Sequence, residues 1–173
     1  MRLGASSAST CRKSAPKRDM PEPASPSWVA LAFDFGLKRI GVASGDSITR
    51  RAAPLTTLDC PGGHADWAAI RALLREWHPA ILVVGVPYNS DGSPGTLTEP
   101  AREFAQELRV HAQLPVELVD ERWSSLEASA RLKWARQSGQ RVRRIRREDV
   151  DAAAACVILE RWFEEAPHAR TDS

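Results

Sequence analysis

The sequence has few of the residues on which several common classes of protein depend. Only three of its 173 residues are cysteines, and none stands in a CxxC or similar spacing, so neither a disulfide framework nor a zinc site is indicated. The four histidines are isolated from one another, which disfavours a histidine metal site. No apolar run approaches the roughly 18 residues that a membrane-spanning helix needs. No membrane partner is therefore expected.

Acidic residues are missing from one stretch of the chain. The formal net charge is only +2, yet residues 131–147, called the basic segment below, hold eight Lys or Arg side chains and no Asp or Glu. This local excess of positive charge favours a polyanionic partner, although a solvated basic loop is the alternative. The remaining composition, with 43% apolar and 27% charged residues, is typical of a globular protein with a single core.

The chain divides into one long central segment and two tails. Residues 1–27 are rich in Ser, Ala, Pro, Lys and Arg and lack apolar periodicity. Such a segment cannot bury enough surface to offset the entropy cost of ordering it. We therefore predict a disordered tail over 1–27, one folded domain over 28–165 and a second disordered tail over 166–173.

Within the central segment, hydrophobic periodicity predicts three consecutive strands followed by alternating helices and strands. The predicted strands are Val29–Phe35, Ile40–Ser44, Ala53–Leu58, Ile81–Val86 and Val116–Val119. Three of the four predicted helices cover His64–Trp77, Ser124–Ala135 and Glu148–Glu164. The other precedes the fifth strand and opens with a Thr96/Glu99 capping box. This order predicts an α/β protein with a mixed five-stranded sheet, in which three hairpin-linked strands and two parallel strands carry helices on both faces.

Asp34 is the only polar side chain in the first strand, which should lie at the centre of the sheet. An ionised carboxylate in such a place is costly unless it is paired, hydrogen-bonded or bound to a metal. A carboxylate bonded to the amides of the following turn is the structural alternative. The other acids of the chain decide between these interpretations.

Asp151 shares one face of the last predicted helix with Ala155, Ile158 and Trp162, because these residues are spaced by four, three and four. This face is apolar and should pack on the sheet, so Asp151 is expected to point inward. Stabilisation of the helix dipole is the alternative role for an acid in the first turn. Asp149 is better placed for it, and we favour a functional role for Asp151.

An acidic pair, Asp120 and Glu121, ends the fifth strand and is followed by Arg122. Adjacent residues of a strand point to opposite faces, so only one member of the pair can face the same cluster as Asp34 unless the strand has already turned there. The other is expected to pair with Arg122 or a nearby amide. The pattern alone does not choose between Asp120 and Glu121.

Acids at strand ends and at a helix start favour a divalent-metal site, because hard cations prefer oxygen ligands. The candidate catalytic residues are Asp34, Asp120, Glu121 and Asp151, and the candidate metal ligands among them are Asp34, Glu121 and Asp151. The expected cofactor is Mg²⁺ or Mn²⁺, as one ion or as two ions about 4 Å apart, an arrangement that supports phosphodiester cleavage.

Several cationic and polar residues are candidates for contacting nucleic acid. Lys38 and Arg39 follow the first strand, and the loop of residues 89–95 precedes a predicted helix N-terminus, where anions are favoured. A solvated turn is an equally good interpretation of Lys38 and Arg39. The full candidate set is Lys38, Arg39, Asn89, Arg122, Arg143, Arg144, Arg146 and Arg147.

Four of these segments together make the chain recognisable. The stretches Leu31 to Ala43, Val84 to Pro87, Val119 to Arg122 and Asp151 to Ala155 occur in this order. They resemble the YqgF (RuvX) family, whose members are called Holliday junction resolvases or pre-16S rRNA nucleases. Each motif alone is common, whereas four in register are highly specific. The resemblance covers Trp28 to Glu164.

The resemblance implies a ribonuclease-H-like fold, a cytoplasmic bacterial protein and a metal-dependent endonuclease, that is, a hydrolase of phosphodiester bonds. It maps the family's acids onto Asp34, the pair Asp120 and Glu121, and Asp151. The implied substrate is either the 5′ end of pre-16S rRNA, in ribosome biogenesis, or a branched DNA junction, in recombination and repair. A precursor RNA end requires no dimer, whereas a two-fold junction favours a homodimer, so both monomer and homodimer are compatible.

Two other functions are open to a chain of this pattern. A non-catalytic nucleic-acid-binding factor in transcription or ribosome assembly would need the basic segment but not the acids, and the complete acid set disfavours it. An ATP-binding member of the wider superfamily would also carry an acid and a glycine after the first strand. This alternative is disfavoured, because the chain is too short for the two-domain cleft that the sugar kinases of that superfamily use.

Overall fold

The computed structural model describes residues 27–120 and 147–165. Nearly all of both predicted tails, the predicted helix Ser124–Ala135, Glu121, Arg122 and the basic segment up to residue 146 lie outside the described residues. Of the described helices, none combines the length and apolar character that a membrane crossing demands. The strands are β1 (Val29–Phe35), β2 (Arg39–Asp46), β3 (Ala52–Asp59), β4 (Ile81–Val86) and β5 (Val116–Asp120). The helices are α1 (Trp67–Trp77), α2 (Thr98–Ala112) and α3 (Arg147–Glu165).

The five strands form one mixed sheet in the order β3-β2-β1-β4-β5. β1 pairs antiparallel with β2, and β2 pairs antiparallel with β3, as expected for strands joined by short turns. β4 pairs parallel with both β1 and β5, because helical crossovers connect strands that run the same way. The predicted architecture is confirmed, and β1 lies at the centre of the sheet.

Side chains of β1 alternate between two cores, one on each face of the sheet. Leu31 and Phe33 pack in the core that contains Phe104 of α2 and residues of α1. Ala30 and Ala32 pack on the other face, against Ile158, Leu159 and Trp162 of α3. Even-numbered residues of β1 therefore face α3, and Asp34 belongs to that series.

Helix α3 approaches β2 closely because the facing residues of this strand are small. A Cβ atom added to Gly41 would lie 2.0 Å from the backbone oxygen of Asp151. Farther along the same face, Ala43 packs against Ala155 and Cys156. Small residues on β2 thus set the position of the first turns of α3 over the sheet.

Both helices that precede parallel strands begin later than predicted. α1 starts at Trp67, because the Asp66 carboxylate caps it by accepting hydrogen bonds from two backbone N–H groups at 3.0 Å. α2 starts at Thr98, and its N-cap is Leu97, so the predicted Thr96/Glu99 capping box is wrong. The Thr98 hydroxyl instead donates to the backbone oxygen of Pro87 and accepts from the N–H of Gly95 at 2.7 Å. These two bonds tie α2 to the end of β4.

Candidate active site

Asp34 occupies the last part of the central strand, on the face that α3 covers. Its register partners are Gly41 in β2 and Gly85 in β4. Directly paired residues point to the same face of a sheet, so no side chain of these two residues flanks the Asp34 carboxylate. The glycine on β2 leaves room for α3, and the carboxylate remains half-buried beneath that helix.

Asp151, in α3, is the second acid of the site. It lies near the start of α3, where the helix backbone rests on Gly41, the strand neighbour of Asp34. The pKa of Asp34 is raised to about 6, first because burial removes water from the carboxylate and second because of the negative charge of Asp151. The structure therefore brings Asp34 and Asp151 together, although 117 positions separate them in the sequence.

Arg39 is the third charged residue of the cluster. Its Nε donates a hydrogen bond of 2.6 Å to Oδ2 of Asp151, and the two side chains are 33% and 26% exposed. Lys38 precedes it in the exposed turn between β1 and β2. Beside them lies an open cleft of about 310 Å³ lined by Gly36, Leu37, Lys38, Arg39, Leu97 and Asp151. Two cationic side chains and one carboxylate thus line this cleft.

The side chains of β5 alternate between the two faces of the sheet along the strand. Glu117 accepts a hydrogen bond of 2.6 Å from the indole Nε1 of Trp162, and Val119 packs against α3. Val116 packs in the opposite core. Asp120 pairs with Val86 at the strand end and falls in the even-numbered series, on the face away from Asp34. By this alternation, the Asp120 side chain is not expected beside the acid pair.

The loop after β4 is held by its own side chains. The Asn89 amide donates to Ser93 Oγ at 2.9 Å and to the backbone oxygen of Pro94 at 3.2 Å. Hydrogen bonds from the Ser93 hydroxyl and N–H lower the pKa of Asp91. The predicted contact residue Asn89 thus organises the loop, which lies at the carboxyl end of β4. Arg147 is the first residue of α3.

Two residues that shape the site were not among those predicted from the sequence. Gly41 allows the backbone of Asp151 to approach the sheet, and Thr98 joins the end of β4 to α2. A glycine inside an apolar strand is a signal of close backbone approach, and it was present at Gly41. Thr98 gave no such signal, because its role depends on the position of Pro87 in the folded chain.

The donor chemistry of the cluster fits a divalent cation. Asp34 and Asp151 contribute only oxygen donors, and their mutual repulsion is relieved when a cation lies between or beside them. Within residues 27–120 and 147–165, no group of three or more His, Cys, Asp or Glu side chains is arranged to hold a metal. The remaining candidate ligand, Glu121, lies outside the described residues.

Comparisons with known proteins agree with this fold and this set of motifs. The family model RuvX, described as Holliday junction resolvase, matches residues 28–165. Two curated proteins with the name "Putative pre-16S rRNA nuclease" are each 44% identical to the chain. The match to the protein from Coxiella burnetii (strain RSA 331 / Henzerling II) covers 79% of this chain and 93% of that protein. The match to the protein from Legionella pneumophila (strain Lens) covers 82% of this chain and 99% of that protein.

A solved structure shows the same fold. Thermus thermophilus RuvC, in complex with a Holliday junction substrate, superposes with a TM-score of 0.50 at 13% sequence identity, and the match covers 79% of this chain and 94% of RuvC. At this identity the likeness concerns the fold alone. The predicted ribonuclease-H-like fold is confirmed.

Proposed function

This chain belongs to the RuvX family, and we propose that it is a metal-dependent nuclease that hydrolyses structured nucleic acid at the 5′ end of pre-16S rRNA. The observation that carries this proposal is the pair Asp34 and Asp151, which the central strand and the last helix bring together on one face of the sheet. The names of the relatives in Coxiella burnetii and Legionella pneumophila support the choice of RNA.

The residues that would hold Mg²⁺ or Mn²⁺ are Asp34, Asp151 and Glu121. When bound, the metal supplies activation of a water nucleophile and charge stabilisation at the phosphorus. We infer Glu121 rather than Asp120 as the third ligand, because Glu117 and Val119 occupy the α3 face of β5 and Glu121 is the next residue of that odd-numbered series. Asp120 would act from the opposite face, as a support of the strand end.

The chain's own residues perform the rest of the reaction. Burial and the charge of Asp151 raise the pKa of Asp34 to about 6, so its carboxylate is mostly ionised, as a metal ligand must be, only above about pH 6. The open cleft of about 310 Å³ lined by Lys38 and Arg39 would receive a phosphate of the substrate, because cationic side chains favour an anion. The basic segment, with Arg122, would add phosphate contacts, which position the nucleic-acid backbone without reading sequence.

A four-way DNA junction is the second candidate substrate, because the family model is described as Holliday junction resolvase. A junction has two-fold symmetry and would require two active sites, so this alternative predicts a homodimer. The RNA proposal is satisfied by a monomer. Both substrates place the protein in the cytoplasm of a bacterium, and neither involves a membrane.

The two candidates are separated by cleavage of labelled pre-16S rRNA and of a labelled four-way DNA junction by the same preparation. We expect Mg²⁺-dependent cleavage near the mature 5′ end of the RNA, and little or no symmetric cutting of the junction. Chelation of the metal should stop the reaction. Symmetric junction cleavage with intact RNA would overturn the RNA assignment, and cleavage of both at equal rates in chelator would overturn the metal-dependent mechanism.

A further inference from the structure

We propose that Arg39 is a resident counter-ion of the acid pair, which binds the Asp151 carboxylate and competes with a divalent cation for it. This inference rests on the proposed metal site. It adds a residue that sets metal affinity without being a ligand.

The position of Arg39 follows from the fold of β2. Arg39 and Gly41 are two residues apart on the strand and therefore lie on the same face, under α3. Gly41 allows the backbone of Asp151 to come down onto the strand, and this approach brings the Asp151 carboxylate within 2.6 Å of the Arg39 Nε. The pair joins residues 112 positions apart, so it depends on the same close packing that brings Asp151 to Asp34.

The guanidinium and a metal ion cannot use the same side of this carboxylate. Mg²⁺ binds a carboxylate oxygen at about 2.0–2.1 Å, and the guanidinium already lies at hydrogen-bond distance from Oδ2 of Asp151. Two cations at one oxygen would also repel each other strongly in a site that is only one-quarter to one-third exposed. A metal ion that binds Oδ2 of Asp151 therefore requires Arg39 to release this oxygen, and a metal ion at Oδ1 is still repelled by the guanidinium charge.

A displaced Arg39 side chain has space in the neighbouring cleft. Arg39 and Asp151 both line the open cleft of about 310 Å³ beside the β1–β2 turn. A guanidinium that leaves Asp151 can extend into this cleft, where it remains solvated. The exchange thus needs a change of rotamer in one partly exposed side chain and no movement of the sheet.

The test is the affinity of the full-length protein for Mn²⁺ in the absence of nucleic acid, measured by the electron paramagnetic resonance signal of free Mn²⁺. Arg39→Gln removes the competing charge, and Arg71→Gln removes an exposed charge on α1, which packs on the other face of the sheet. We expect Arg39→Gln to bind Mn²⁺ about two- to five-fold more tightly, since five-fold corresponds to about 1 kcal/mol, the upper range for a partly exposed ion pair. Arg71→Gln should change the affinity by less than about 1.5-fold, because exposed charges distant from the site are screened.

A thermal measurement provides a second readout and shows that the variants fold. Mn²⁺ should raise the melting temperature of Arg39→Gln by more than that of the wild type, because tighter binding to the folded state stabilises it more. Arg39→Lys, which keeps a positive charge, should give an affinity between those of the wild type and Arg39→Gln.

Failure of this inference is distinct from failure of the metal site. If Asp151→Asn weakens Mn²⁺ binding while Arg39→Gln binds as the wild type does or more weakly, the metal site stands and the competition is overturned. If neither the wild type nor Arg39→Gln binds Mn²⁺, or if Asp34→Asn and Asp151→Asn both bind it unchanged, the metal site and the role of Arg39 are overturned together.

Discussion

Asp34 illustrates how a proposed metal ligand is placed at the expense of stability. Burial raises its pKa from 3.8 to about 6, and the charge of Asp151 adds to this effect. A carboxyl whose pKa is raised on folding destabilises the folded state when it is ionised. This destabilisation is absent below about pH 4, where the carboxyl is protonated in the folded and the unfolded state. It reaches its full size above about pH 6.

We predict that Asp34→Asn stabilises the metal-free protein at neutral pH. Each pKa unit corresponds to about 1.4 kcal/mol, so the gain in the free energy of unfolding should be at most about 3 kcal/mol above pH 6 and should shrink toward zero near pH 4. Urea unfolding of wild type and variant in chelator, at several pH values between 4 and 8, measures this difference.

Glu103→Gln on the exposed face of α2 serves as the control, because it removes a carboxylate that is exposed to solvent. Its effect should stay within about 0.5 kcal/mol at every pH, as for most surface substitutions. An Asp34→Asn variant that is less stable than the wild type at pH 7 would show that the ionised Asp34 is stabilised by the fold, contrary to its raised pKa.

At the scale of secondary-structure elements, the site depends on the packing of α3 against β2. The helix backbone reaches the strand at Gly41, and a Cβ there would lie 2.0 Å from the Asp151 oxygen and 2.3 Å from its carbonyl carbon. Both atoms belong to the backbone, so a rotamer change cannot relieve the contact. Gly41 therefore determines the depth at which Asp151 lies beside Asp34.

Gly41→Ala should displace the start of α3 and lower the free energy of unfolding by about 1–3 kcal/mol or more, the range for overpacked cores. Gly95→Ala is the matched control, because its Cβ would lie 3.2 Å from the Asn89 side-chain oxygen, which can shift. We expect a loss below about 1 kcal/mol there. Equal losses in urea unfolding of the two variants would contradict the proposed role of Gly41.

Much of the fold follows from local patterns in the sequence. The apolar runs Val29–Phe35 and Ile81–Val86 have the same bounds in the structure, and the other three strands differ by one or two residues at their ends. The starts of α1 and α2 were wrong because they depend on the Asp66 cap and on the bond from Thr98 to Pro87. The latter involves residues brought together only after the chain has folded.

Part of the candidate site was also predictable from a local pattern, the helical spacing around Asp151. The spacing of Asp151 with Ala155, Ile158 and Trp162 predicted an inward-facing carboxylate, and the structure places these three apolar residues in the buried face of α3. The ion pair between Arg39 and Asp151 was not predicted, because it requires the helix to approach β2 at Gly41. Periodicity shows which face a residue occupies, but not how closely two elements approach.

At the scale of the whole molecule, charge is distributed unevenly. The formal net charge is +2, while the basic segment alone carries eight cationic residues and no acid. Nucleic-acid binding through phosphate contacts releases counterions, so its strength falls as salt concentration rises. The basic segment is the part of the sequence best suited to such contacts.

Replacement of four arginines of the basic segment by alanine should weaken nucleic-acid binding and flatten its salt dependence. The residues are Arg143, Arg144, Arg146 and Arg147. The logarithmic salt slope should shrink by about 0.7–0.9 for each phosphate contact that is lost. Fluorescence anisotropy with labelled precursor RNA over a range of salt concentrations measures this slope.

The control is a variant with Arg71→Ala and Arg75→Ala on the exposed face of α1, which removes positive charge from another part of the surface. Its salt slope should match that of the wild type. A four-arginine variant with an unchanged slope would mean that the nucleic acid binds elsewhere, and the cleft beside Lys38 and Arg39 would then be the better candidate.

The most direct test is the single-turnover rate of pre-16S rRNA cleavage in Mg²⁺, at saturating protein, for the wild type, Asp34→Asn, Asp151→Asn and Glu103→Gln. Loss of a metal-binding carboxylate should reduce the rate by about a thousand-fold or more while the folded state persists. We therefore expect Glu103→Gln to cut at the wild-type rate and both aspartate variants to be nearly inactive. Wild-type cleavage by either folded aspartate variant would contradict a nuclease centre built on Asp34 and Asp151.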